Sequence, residues 1–195
     1  MKKTGIVVAA ILIVAVLVGG FYFTVKRSRV PSKSQQQALT EVEKINTKDL
    51  ERDYPSTPRE VVKFYNRIIT AYYFEKISDE ELKKMTSQAY ALFDAQLQDN
   101  NPSEIYLQSV KAEIAEYKSA SKTISHADVC DSNDVRYLTD GDDKIAYVKA
   151  SYFMKEGSDF SRTHEMYILR KDADGFWRIL GYYQIEAADN ASGNE

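Results

Sequence analysis

The hydrophobic pattern divides the chain into three regimes. Gly5 to Val25 is an unbroken apolar run without a charged side chain, bracketed by Lys2-Lys3 and Lys26-Arg27. A helix of that length rises about 30 Å, the thickness of a bilayer's hydrocarbon core. From Ala38 to Lys122 apolar residues recur at helical spacing. After Lys122 the period shortens to two, as in strands with one buried face.

The first regime reads as a single-pass anchor over residues 1–26. A soluble helix would carry a polar stripe, and this run has none. A cleaved secretory signal is shorter and ends in a small-residue site, whereas this run ends in Gly19-Gly20-Phe21-Tyr22-Phe23. Those rings suit the interfacial layer of a membrane. The partner implied for residues 5–25 is the lipid bilayer. Orientation has two arguments. Lys26, Arg27, Arg29 and Lys33 after the run favour a cytoplasmic body. A short Lys-Lys head before an N-terminal apolar run is the layout of an export signal. The second is taken here, so the body is expected outside the cytoplasm, held at the cell membrane.

Residues 27–56 read as a polar tether, with Pro31, several serines and Gln35-Gln36-Gln37. Leu39, Val42 and Ile45 mark a short helix within Ala38–Leu50. Three helix starts follow. Thr57-Pro58-Arg59-Glu60 has a capping hydroxyl, a proline at the first helical position and a glutamate at the third. Ser78-Asp79-Glu80-Glu81 and Asn101-Pro102-Ser103-Glu104 repeat the device. The apolar stripes are Val61, Phe64, Tyr65, Ile68 and Tyr72; then Leu82, Met85, Ala89, Leu92 and Phe93; then Leu107, Val110, Ile114 and Tyr117. Strands are predicted over 123–131, 135–138, 145–155, 160–171 and 176–186. Turns are expected at Asp140-Gly141, Glu156 to Asp159 and Asp172 to Gly175. The tail 187–195 is small and polar and is expected to be disordered. Helices followed by strands define an α+β domain over 57–186, with three helices on one face of a curved antiparallel sheet of four to five strands.

The closing pattern Glu165-x-Tyr167-x-Leu169-Arg170-Lys171, then Gly175-Phe176-Trp177-Arg178-Ile179, together with this order of elements, resembles the nuclear transport factor 2-like superfamily. The resemblance spans residues 57–186 and rests mainly on element order. It implies a cone-shaped domain whose sheet wraps around helices. Tyr54-Pro55-x-Thr57-Pro58-Arg59-Glu60-Val61-Val62 resembles an uncharacterised family of membrane-anchored proteins from Gram-positive bacteria. That superfamily holds enzymes, ligand binders and structural modules, so the fold alone assigns no activity. The same layout of tail, helix and domain occurs in inner-membrane scaffolds of type IV secretion and conjugation machines.

Composition removes several classes. The 195 residues carry a net charge of −3, with Lys and Arg interleaved among acids, which argues against a nucleic-acid-binding face. One cysteine, Cys130, excludes an internal disulfide and reads as a small buried hydrophobe rather than a nucleophile. Two histidines and one cysteine, spread over two strands, give no metal-ligand motif. No phosphate loop, G-x-S-x-G or H-E-x-x-H is present, and no cofactor is implied.

The 14 tyrosines supply the site candidates. Tyr65 and Tyr72 share a face of their helix, and Tyr152 and Tyr182 are expected to point to the same interior. Either the rings fill the core or they line a cavity for an apolar ligand oriented by hydroxyls. His164 either lines that pocket or is a hydrogen-bonded structural histidine. His126 and Asp128 share a strand face opposite Ala127 and Val129 and are expected to face solvent. Tyr147 and Phe153 lie on the more polar face of their strand, a surface suited to a protein partner or a second copy. The expected function is a non-enzymatic binding or scaffold domain with no catalytic residue. The alternative is an isomerase or dehydratase, or a ligand carrier, using the interior of the cone. A general base in an apolar cavity beside a hydroxyl donor is what such chemistry requires.

Overall fold

The computed structural model describes residues 39–74 and 76–186. The apolar run Gly5–Val25, the polar stretch to Gln37 and the tail from Ala187 lie outside the described residues. Among the described residues no helix is long and apolar enough to cross a membrane.

Among the described residues five α-helices precede five strands: α1 (Glu41–Asn46), α2 (Pro58–Phe74), α3 (Asp79–Tyr90), α4 (Ala95–Asn100), α5 (Ser103–Ser119), then β1 (Lys122–Val129), β2 (Arg136–Asp140), β3 (Asp143–Glu156), β4 (Asp159–Lys171) and β5 (Trp177–Ile185). This is the α+β order expected from the change of period at Lys122. Thr40 and Ser78 cap α1 and α3 with complete capping boxes through Glu43 and Glu81. At α2 the Glu60 backbone N–H donates to Thr57 Oγ1, while its carboxylate accepts from Ser56 rather than Thr57. The start predicted at Asn101 differs more. Asn101 Nδ2 donates to Leu97 O, closing α4, and α5 begins at Ser103 without a side-chain cap.

Helix α4 was not expected. The chain leaves α3 at Tyr90, so Leu92 and Phe93 do not continue its stripe. They run beside β5, where Ile179 N–H donates to Leu92 O and Asp94 N–H donates to Ile179 O, each at 2.8 Å. Hydrogen bonds at a sheet edge outweigh one more helical turn, because an exposed edge leaves backbone groups unpaired. Asp94 then caps α4 through Gln96 N–H at 2.9 Å. Val42 and Ile45 of α1 are buried in the same core as the longer helices, so the compact unit begins at Leu39 and takes in the short helix of the tether. Leu39 itself stays exposed.

The sheet runs β1-β3-β4-β5, all antiparallel. The long β3 pairs with β1 along its second half and with β2 along its first, so β1 and β2 share one edge. Gly141 and Gly157 hold φ of +59° at the first central position of two-residue hairpin turns, where a side chain would be strained. These turns fix the register. Ala146, Val148, Ala150, Tyr152 and Met154 face the core with Tyr167, Leu169 and Ile179, while Tyr147, Lys149 and Phe153 face away. Register shifts at Ile124/His126 in β1 and beside Leu180 in β5 are bulges, which bend strands and re-aim side chains.

Candidate functional site

Helices α2 and α5 lie over the inner face of the sheet without closing on it at one end. There they leave an open cleft of about 330 Å³. Residues 65, 69, 72 and 73 of α2 form one wall, and Tyr106, Val110, Glu113 and Tyr117 of α5 form another. The spacing 106, 110, 113, 117 is a helical stripe, so one face of α5 looks into the cleft while Ile114 turns to the core. Tyr152, Glu165, Tyr167 and Tyr182 form the floor from β3, β4 and β5.

Eight tyrosines line this cleft. Tyr73 and Tyr117 stack across the two helices with ring centroids 4.1 Å apart. Tyr167 meets Tyr65 edge-on at 5.9 Å and lies tilted against Tyr182 at 5.3 Å. Burial raises the pKa of Tyr65, Tyr72, Tyr152 and Tyr167 far above the ordinary phenol value, and that of Tyr106 to about 12. All are neutral hydroxyls at physiological pH.

A polar chain crosses the floor. Tyr152 hydroxyl contacts Asn66 Oδ1 at 2.7 Å and Tyr167 hydroxyl at 2.5 Å; Tyr167 hydroxyl contacts Glu165 Oε2 at 2.9 Å. Two hydroxyl protons cannot serve three contacts. The third comes either from Glu165 as a carboxylic acid, or from Asn66 with its amide turned so that Nδ2 donates to Tyr152. That Nδ2 is buried and otherwise has no partner. Ionisation of Glu165 and the orientation of the Asn66 amide are therefore linked. Burial raises the Glu165 pKa; the Tyr167 hydrogen bond opposes this, and the nearby Glu113 charge adds to it.

Of the tyrosines expected in a pocket, Tyr65, Tyr72, Tyr152 and Tyr182 all line the cleft. Tyr182 is half exposed at its mouth. His164 is a correction. The turn at Gly157-Ser158 pairs Tyr152 with Thr163 and Ser151 with His164, which puts His164 on the opposite sheet face. There its Nδ1 meets Ser151 Oγ at 2.7 Å, and Arg162 donates to the same Oγ at 3.3 Å. It is covered by its sheet neighbours rather than by depth in the core. Its pKa is lowered by that desolvation and by the charges of Lys149 and Arg162. It is a structural histidine. His126 and Asp128 are exposed and 2.8 Å apart, away from the cleft. Tyr147 and Phe153 are half-buried on the outer face, each beneath a guanidinium, Arg136 at 5.6 Å and Arg162 at 4.7 Å. Among the described residues no group of His, Cys, Asp or Glu is gathered to hold a metal.

Sequence reasoning passed over Glu165, Glu113 and the tyrosines at 73, 106, 117 and 167. The Glu165-x-Tyr167-x-Leu169 alternation carried the signal for two of them, since all three share a strand face. Glu113 carried none, because a glutamate on an amphipathic helix is ordinarily solvated.

Fold and cleft together define an α+β domain with an open, tyrosine-lined cleft between its helices and its sheet. The chain belongs to the family described as Domain of unknown function (DUF6715), whose model matches residues 1–182. No curated protein matches it.

Proposed function

We propose that this chain is a membrane-anchored binding domain, of nuclear transport factor 2-like architecture, that holds a small ligand in the tyrosine cleft at the cell envelope and performs no chemistry on it. The open cleft carries this reading. A core built only for stability would close over its rings, because unfilled space forfeits packing energy. Here eight rings are arranged around about 330 Å³. That volume suits a metabolite-sized molecule. The family match extends through the apolar run as well as the domain, which supports pairing an anchor with this domain. The order of helices and strands and the β-bulges support the cone-shaped architecture.

A ligand-observed NMR screen of small molecules on the full chain in maltoside micelles tests the reading. The comparison is Gln184→Trp, an exposed position at the rim chosen to obstruct the cleft without touching the core. Compounds that bind the parent and not the variant support the cleft as the site. Identical profiles overturn it. Glu165 beside Tyr167 favours a second reading, acid–base chemistry of the isomerase or dehydratase type. Recovery of the bound compounds unchanged separates binding from turnover. For the placement, a cysteine added at the C-terminal tail is expected to react with a membrane-impermeant maleimide on intact cells. Labelling only after lysis refutes an extracytoplasmic domain.

A further inference from the structure

We infer that the ligand of the tyrosine cleft is a small organic cation, an alkylammonium with a polar substituent. The inference rests on the cleft being a binding site and names the class of molecule it takes.

Charge is the first observation. Glu113 and Glu165 both line the cleft, and each acts on the same groups: the charge of Glu113 bears on Glu165, and both bear on Tyr117 and Tyr182. Among the described residues, Lys122 is the single cation on the lining. Its ammonium is committed to the face of Tyr117, 5.2 Å from the ring centroid, and does not pair with Glu165. Glu165 is half-buried while Glu113 is exposed, and a half-buried carboxylate with a second one nearby and no counterion is costly. A ligand cation supplies what the lining lacks. An anionic ligand would add a third negative charge, and a neutral apolar one would desolvate both acids without compensation.

The rings are the second. Aromatic faces carry negative potential and attract ammonium groups, most strongly where water is excluded. Tyr117 already holds the Lys122 ammonium in this way. Tyr182, half exposed at the cleft mouth and near enough to Glu165 to feel its charge, offers a ring with no such occupant among the described residues. Third, the Tyr72 hydroxyl is buried on the cleft wall with the Tyr106 hydroxyl beside it and no hydrogen bond of good geometry. A hydroxyl or carbonyl on the ligand would give it a well-aligned partner.

Isothermal titration of the full chain in maltoside micelles tests this with choline chloride and with 3,3-dimethylbutan-1-ol, its neutral carbon isostere. Choline is permanently charged, so its own ionisation does not vary. The expected result is that choline binds about tenfold or more tightly than the isostere. Glu165→Gln should weaken choline by a similar factor and leave the isostere unchanged, with circular dichroism showing the fold retained. Gln184→Trp should remove both. Equal binding of the two compounds overturns the cation assignment and leaves the cleft as a ligand site. So does no binding of choline while neutral molecules from the screen still bind the parent and not the rim variant. No difference between parent and rim variant for any compound overturns the cleft itself.

Discussion

Replacing Asp94 with alanine removes three interactions from one buried carboxylate. Asp94 Oδ2 accepts from Arg170 Nε at 3.0 Å, Oδ1 accepts from Arg170 Nη2 at 2.5 Å, and Oδ1 also accepts the Gln96 N–H that caps α4. The residue is 4% exposed, whereas the Arg170 side chain is 25% exposed and keeps a longer contact to Asp143 at 3.4 Å. Losing one partner of a buried pair costs about 3–5 kcal/mol, and losing a cap about 1 kcal/mol. The two overlap in the shared oxygen, and the partial exposure of Arg170 places the pair at the low end. The expected destabilisation is about 3 kcal/mol, or roughly 6–12 °C in Tm for a domain of this size. Urea unfolding followed by far-UV circular dichroism measures it. Asp94→Asn retains a capping oxygen and should lose about 2 kcal/mol. Adding Arg170→Met to Asp94→Ala should restore part of the loss, since it removes the orphaned guanidinium. A loss below about 1 kcal/mol, or strictly additive single effects, would refute the idea that this pair clamps the Leu92–Asp94 segment to the sheet.

The remaining predictions concern the cleft and the end of α5. The raised pKa of Glu165 means that the folded state holds its proton to higher pH than the unfolded chain does. Tyr152, Tyr167, Tyr182, Tyr117 and Glu113 face it, and none is a cation. Between its ordinary value of 4.5 and its raised value the native state binds more protons, so this group lowers stability as pH rises. Glu165→Gln should therefore match the parent near pH 4 and exceed it at neutral pH; a gap that does not change with pH defeats the assignment. Ser121 holds φ of +52° just past α5, a conformation that costs a side chain about 1–2 kcal/mol. Ser121→Gly should gain about 0.5–1 kcal/mol after the entropy of the unfolded glycine is counted, read as a higher urea midpoint; an unchanged or lower midpoint would show that no strain resides there.

Much of the domain is written in short-range signals. Ser78 with Glu81, and Thr57 with Pro58 and Glu60, set the starts of α3 and α2 because capping bonds join residues three apart. The alternation from Ile145 to Lys155 placed Tyr152 inward for the same reason: the pleat is local. The glycines at 141 and 157 announced their hairpins. Even the outward face of His164 was within reach, since a two-residue turn at Gly157-Ser158 pairs Tyr152 with Thr163. That pairing joins two strands, whereas the alternation within β4 alone leaves the face of His164 open. The apolar run Gly5–Val25 likewise is a property of sequence alone.

Other features depend on what the chain meets after folding. Leu92 and Phe93 fit the stripe of α3, yet the unpaired edge of β5 draws them out of helix. Asp94 finds Arg170, and Glu113 comes to face Glu165, across distances in sequence that no periodicity spans. The sequence by itself determined most of the elements, their order and most of their buried faces, because caps, turns and periods act within a few residues. Only the tertiary structure decided that the tyrosines surround open space and that two carboxylates share it. Such convergence is set by strand register, by bulges that bend β1 and β5, and by where α5 comes to rest on the sheet.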